Sequence, residues 1–337
     1  MQFALSSFGD LTANPHTGQA LTAEARLAEI LAAARLADEA GLDLFCIGEH
    51  HRLDFAISST TVVLAAIAAQ TKRIGLASAV TILGTADPVR VFQEYATLDL
   101  LSHGRAEIIA GRGVFTESFP LFGYDLALQD AAFAEKLDLL LQLNASERVT
   151  WKGEFRPPLA DAEISPRPGW PLPIWLGTGG TLESAARAGK LGLPMMLGNI
   201  TLPPERLAPA IAAYREAGRA AGHGERLRVG VAKHLYIARD SRQARDEFYP
   251  HYAEYFRSHT PRRYTAMEVT REEFENRAAP GGALYVGSPQ EIVDKMGRER
   301  EIFGHDRLIA HVDLGGLPFE KIASVIELLT TEVAPKV

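Results

Sequence analysis

Cysteine is almost absent: Cys46 is the only one in 337 residues. A lone thiol excludes an intrachain disulfide and a cysteine-based metal centre, and it suits a reducing compartment. Apolar runs long enough to cross a bilayer are missing, and residues 1–7 lack the basic start and apolar core of a secretory leader. A cytoplasmic protein is therefore expected. Long basic runs are missing too, and the 35 Lys and Arg are outnumbered by 42 Asp and Glu, for a net charge of −7. That balance argues against nucleic acid or an anionic membrane as a partner. No internal repeat or low-complexity tract stands out.

What is present is an ordinary globular composition, 47% hydrophobic and 23% charged. Apolar, β-branched stretches read as strands at 2–8, 43–47, 74–80, 106–110, 174–177, 195–197, 229–237 and 308–314. Helical patterns separate them, with matching start and stop signals. Thr22 can cap a helix that buries Leu27, Ile30, Leu31 and Ala34, with Gly41 as its left-handed stop. Asp87-Pro88, Thr201-Leu-Pro-Pro204 and Gly287-Ser-Pro-Gln290 look like further starts. Eight strand-then-helix units predict a parallel α/β sheet, and eight is the number that closes a (β/α)8 barrel. A doubly wound open sheet is the rival. One domain over residues 1–337 is expected, with two interruptions. Residues 149–173 read as a hairpin inserted between strands four and five. Residues 259–283 read as a long polar loop before strand eight, which includes Arg262 and Arg263. Such a loop is expected to pack weakly and to close over a bound ligand.

Barrels of this kind place their chemistry at the carboxyl ends of the strands. Strand two ends in Glu49-His50-His51, groups able to move protons near neutral pH. Strand three ends in the small residues Ala77-Ser78-Ala79-Val80, and strand four in Gly111-Arg112-Gly113. Strand five runs through Gly177-Thr178-Gly179-Gly180-Thr181 into a helix, so free N–H groups, two hydroxyls and a positive dipole end meet at one point. A monophosphate suits that point, with Arg112 supplying charge. A tight turn capped by Thr181 would carry the same residues. The glycines do not fit a dinucleotide fingerprint, because Leu182 stands where its last glycine belongs. Adjacent His50 and His51 point to opposite faces of an extended chain, which disfavours a shared metal ion. No metal is expected; Asp313 and His311 near the last strand are the nearest further ligands.

With those residues assembled, the chain resembles the bacterial luciferase-like, flavin-dependent monooxygenases over essentially its whole length. The likeness lies in Gly48-Glu-His-His51, Ala77-Ser-Ala-Val80, Thr85-Ala-Asp-Pro-Val-Arg90, Leu101-Ser-His-Gly-Arg105, Gly111-Arg-Gly113 and Asp313-Leu-Gly-Gly-Leu-Pro318. The resemblance implies an FMN site at the carboxyl ends of a TIM barrel, with His50 as an acid–base group. It implies a non-proline cis peptide joining Ser78 and Ala79 beneath the flavin ring. It further implies that Arg112, Thr178 and Thr181 hold the phosphate, amid Gly111, Gly177, Gly179 and Gly180. Two departures stand out. Gly111 replaces the reactive cysteine of luciferases, and Asp130 falls where a second phosphate-binding arginine is found. A weaker hold on phosphate follows, which suits reduced FMN taken up as a diffusible co-substrate and delivered by a separate flavin reductase.

The expected activity is oxidation of a small, hydrophobic substrate with reduced FMN and O2. The expected pocket is lined by the long loop, Phe8, Phe115, Met195 and Met196. A flavin- or deazaflavin-dependent reductase of the same fold is the alternative, and a non-catalytic flavin-binding protein another. The apolar helical stretches 59–69 and 89–101 point to a homodimer.

Overall fold

The structure, a computed structural model, describes residues 1–198, 200–259 and 268–337. Eight parallel strands close into a barrel: β1 (Gln2–Ser7), β2 (Leu44–Ile47), β3 (Gly75–Ser78), β4 (Ala106–Gly111), β5 (Ile174–Thr178), β6 (Met195–Leu197), β7 (Val229–Ile237) and β8 (Arg307–His311). Each pairs with its successor, and β8 returns to β1 through the partners Gln2↔Arg307 to Ser6↔His311. Closure rules out the open sheet, because each of these strands has a neighbour on both sides.

Helices fill the intervals: α1 (Ala23–Ala40), α2 (Thr60–Ala68), α3 (Pro88–Ser102), α4 (Gln129–Ala145), α5 (Leu182–Lys190), α6 (Pro204–Ala220), α7 (Ser241–His259), α8 (Arg271–Ala278), α9 (Pro289–Phe303) and α10 (Phe319–Leu328). Thr22 accepts the Ala25 N–H at the start of α1, and Gly41 ends it at φ 85°. Asp87 accepts from Val89 and Arg90 ahead of α3, and Ser288 caps α9. Thr201 does not cap α6. That helix begins at Pro204 with Pro203 in the cap position and no side-chain bond, since proline presets the first-turn φ and has no N–H to satisfy.

Arg148–Trp151 and Leu159–Glu163 form the expected antiparallel hairpin between β4 and β5. The segment 259–283 is not a loop throughout. Its residues 260–267, with Arg262 and Arg263, lie outside the described residues. The part beyond them forms α8, opened by a capping box between Thr270 and Glu273. Phe274 and Ala278 are buried on its inner side, and the Phe274 ring meets Tyr249 and Tyr252 of α7 at 5.3 and 5.4 Å. Two apolar anchors thus hold a helix whose other residues are polar.

Alternate residues of each strand face the barrel axis. Ala4, Leu44, Cys46, Ala77, Ile109, Trp175, Met196 and Ile309 make one interior cluster. Below it, Arg307 lies 4.1 Å over the Trp175 ring and donates to Glu107 at 2.7 Å and to Gln2 at 2.8 Å, closing the amino end. Met196 belongs to this interior beside Gly230 and Trp175, while Met195 joins the outer core. Neither lines the mouth, because β6 is short and both lie at its start. At the carboxyl end the next axial positions are Gly111 and Gly177 on one side and His234 and His311 on the other. Among the described residues, no helix is long and apolar enough to cross a membrane.

Candidate functional site

The acid and two imidazoles after β2 divide into two groups, as their alternation requires. Glu49 binds His51, Oε1 to Nε2 at 2.8 Å, and its other oxygen accepts the Ile82 N–H at 3.0 Å. It thereby ties the end of β2 to the chain after β3. His50 turns instead into an aromatic nest. It stacks on Phe55 (4.1 Å between ring centres, 22°) and meets Phe115 and Phe8 edge-on at 5.0 and 5.1 Å. Its Nδ1 is buried without a hydrogen bond. Burial pushes the imidazole down to about 3, with the neighbouring His259 and His311 adding to the shift. His50 is therefore neutral at physiological pH, able to accept a hydrogen bond at one ring nitrogen and donate one N–H from the other.

The cis peptide is present one bond later than expected, between Ala79 and Val80. The Ala79 N–H still bonds the Ile47 carbonyl at 2.8 Å, so strand pairing with β2 continues through Ala79 and the chain turns only after it. Ser78 is correspondingly a strand residue. Its hydroxyl accepts from the Ile109 N–H at 3.2 Å and from Thr81 at 2.8 Å, and it is fully buried. It fixes β3 to β4 and offers a ligand nothing. Val80 lies over the axis. A Cβ at Gly111 would come within 2.8 Å of its Cγ2, and one at Gly177 within 3.0 Å of its Cγ1. Gly111 is thus required by Val80 and Gly177 leaves it room, and together these three residues make a smooth apolar floor.

Arg112, Thr178 and Thr181 line one pocket between the ends of β4 and β5 and the start of α5. Thr178 Oγ1 is buried there without a partner, the residue being 5% exposed. Thr181 is the helix cap, accepting from the Ser184 N–H at 3.3 Å, and Gly180 takes φ 90° to let the chain enter α5. The pocket also holds Ser184 and a second cation, Arg187, which sequence reading missed; its place one turn into α5 was the available signal. Against these stand Glu183 and Asp130, the latter ion-paired with Arg112. A hydroxyl awaiting a partner, helix N–H groups and two arginines fit a phosphate. The two carboxylates weaken the fit, since an entering anion must displace Asp130 from Arg112.

Over the other side of the mouth lies α7, which sequence reading did not place there. Its His259 donates to or accepts from Thr12 at 2.9 Å and stands 3.1 Å from Asp54. Tyr255 meets the His259 ring at 4.9 Å and the His311 ring at 6.0 Å. Arg26, buried on α1, links the loops after β1 and β8 through Asp313 at 2.8 Å and Asp10 at 3.6 Å. Burial alone would raise the Asp313 carboxyl, yet Arg26 and His311 hold it down at about 2. A larger groove of about 460 Å³ lies outside the barrel wall. Its Glu247 is already bound by Lys321 at 2.8 Å and Tyr236 at 2.5 Å, so it offers no reactive group. Among the described residues, no cluster of three or more His, Cys, Asp or Glu is set to hold a metal.

The model of the luciferase-like monooxygenase family matches residues 1–306. The oxygenase component of a flavin-dependent trigonelline monooxygenase from Acinetobacter baylyi is 22% identical over 327 residues, covering 91% of this chain and 89% of that protein. An F420-dependent glucose-6-phosphate dehydrogenase from Kineococcus radiotolerans is 33% identical over 204 residues, covering 56% of this chain and 59% of its own. The crystal structure of the monooxygenase RslO1 from Streptomyces bottropensis superimposes with a TM-score of 0.85 at 26% identity, over 99% of both chains.

Proposed function

Because the chain belongs to the luciferase-like monooxygenase family, we propose that it is a monooxygenase which uses reduced FMN and O2 to oxidise a small organic substrate. The observation that carries this reading is continuity. A pocket with an unpartnered Thr178 hydroxyl reaches Gly177, which with Gly111 and Val80 makes the apolar floor, and His50 stands at the end of another strand of the same barrel, joined through Phe8 to the axial His311. A flavin mononucleotide has that sequence of parts, an anion, a linker and a flat ring. When bound, it would supply the oxygen activation that no side chain can. Arg112, Arg187, Thr178 and the α5 N–H groups would hold its phosphate. Ala79, Val80, Gly111 and Gly177 would support its ring, Phe8, Phe55 and Phe115 would exclude water, and neutral His50 would take up or return a proton at a ring nitrogen. A separate reductase fits a site whose carboxylates favour a diffusible flavin. Absorbance titration with oxidised and reduced FMN, followed by substrate-dependent oxygen consumption, tests the reading. An F420-type reductase is the second reading, favoured by the F420-dependent relative and by the Arg112–Asp130 pair; hydride transfer without oxygen uptake would establish it instead.

Two further results are expected. Arg112→Ala should weaken FMN binding about tenfold, the effect of losing a charged hydrogen bond at a partly exposed site. Asp130→Asn should tighten it several-fold by freeing Arg112. Fluorescence quenching of FMN measures both, and a tighter Arg112→Ala complex would remove the phosphate from this pocket. A homodimer is also expected, through α2 and α3, where Val62 is 67% and Leu101 63% exposed. Sedimentation of a monomer at micromolar concentration would contradict it.

A further inference from the structure

His234 on β7 and His311 on β8 are register partners, with ring centres 5.1 Å apart at 71°. Each follows by two residues an interior position, Ala232 or Ile309, so both rings face the barrel axis. They are 1% and 3% exposed, and all four ring nitrogens are buried without a hydrogen bond. Asp313 Oδ1 stands 3.3 Å from His311 Nε2 but out of line for a full bond. Buried polar atoms are paired in nearly all native interiors. Two adjacent, unpaired imidazoles across the axis from Gly111 and Gly177 are therefore a feature that folding alone does not require.

Their surroundings define what would satisfy them. Phe8 lies 4.3 Å from the His311 ring, and Tyr252, Tyr255 and Phe256 lie 5.7, 5.9 and 5.9 Å from His234. These rings pack directly on the imidazoles, so a flat ligand ring would seat here by replacing part of that aromatic contact. The carboxylate of Asp313, charged and fixed by Arg26 at 2.8 Å, stands 3.3 Å from His311 Nε2, so Nδ1 is the His311 nitrogen left for a ligand. Burial keeps His234 neutral, with one N–H to donate. The pair thus asks for a group that donates and accepts through one atom, which a hydroxyl does and a methyl or carboxylate does not.

We propose that His234 and His311 form a substrate subsite that binds the hydroxyl of an aromatic ring, His311 Nδ1 accepting its proton and His234 donating to its oxygen. The subsite deepens the oxygenase reading and rests on it. It names the substrate class as hydroxylated aromatic compounds, held with the ring against Phe8 and Tyr255 and facing the glycine floor. His311 would also draw electron density into the ring through the shared proton, and Asp313 acts through His311 as a positioning residue.

Phenol and toluene differ by one hydroxyl against one methyl and are the probes. Calorimetric titration of the whole protein is expected to show phenol binding about tenfold more tightly than toluene, because toluene leaves the imidazoles unpaired. His311→Leu and His234→Leu should each bring the ratio close to one, and where a leucine variant fails to fold the His→Met variant, apolar but more adaptable in shape, takes its place. FMN is titrated into the same samples. Wild-type protein that binds no FMN would overturn the oxygenase reading, whatever phenol does. Protein that binds FMN yet shows no preference for phenol, or keeps the preference in both variants, would overturn the subsite, its nitrogens then being met by water.

Discussion

His50→Ala is expected to lower turnover about a hundredfold or more, read as substrate-dependent oxygen consumption, while FMN affinity stays within a few-fold of wild type. Loss of a general acid–base group typically costs that much. Affinity should persist because the pocket proposed for the phosphate, with Arg112 and Thr178, does not include His50 or Phe55 of the aromatic nest. Packing is the competing explanation, since His50 stacks on Phe55 at 4.1 Å and alanine leaves a hole there. His50→Phe separates the two, because it restores a ring without its nitrogens. Turnover rescued by phenylalanine would remove the imidazole from the chemistry. With the group held down at about 3, the activity of wild-type protein should show no titration of His50 between pH 6 and 8.

The second large effect is on stability in mild acid. Burial lowers the affinity of His50, His234, His251, His259 and His305 for protons, to about 3 for His50 and about 4 for His305. In the unfolded chain each returns to its ordinary value of 6.5. Between 6.5 and the folded value the unfolded state binds the extra proton, so stability falls as pH falls. Each such group costs about 1.4 kcal/mol per pH unit. From pH 6.5 to pH 5, His50 and His305 alone would remove up to about 4 kcal/mol, or about 6 °C in Tm. Asp313 does not offset this. Its stabilisation is present above its ordinary value of 3.8 and is lost only as pH approaches about 2. Urea unfolding at pH 7 and pH 5 checks the result, and equal midpoints would contradict it.

Much of the scaffold could be read along the chain because its signals are local. The Thr22 and Asp87 caps, the Gly41 stop and the alternation of apolar runs each depend on neighbours within a few residues. Ring closure followed from counting units. Features built by distant pairs were harder. That α7 crosses the mouth depends on His259 meeting Thr12, 247 residues away in the chain, which no spacing records. The cis bond was displaced by one residue because its place depends on how far β3 stays paired to Ile47. Helix α8 was legible in its capping box, but Phe274 and Ala278 made too sparse an apolar stripe to outweigh its charges. Gly111 and Gly177 were rightly placed at strand ends, yet the room they leave for Val80 emerges only when three strands meet.

Arg307, Glu107, Gln2 and Trp175 seal the lower end of the barrel. Among the described residues, that end therefore offers a ligand no entry, and the floor is reached from the carboxyl end. Whatever rests deepest, against Val80 and the glycine floor, must enter before anything seated above it and can leave only afterwards. Two ligands sharing that approach obey a compulsory queue, last in and first out, even if neither changes the protein's shape. Initial-rate kinetics should then show ordered addition, with the deeper ligand first, as a consequence of plumbing alone.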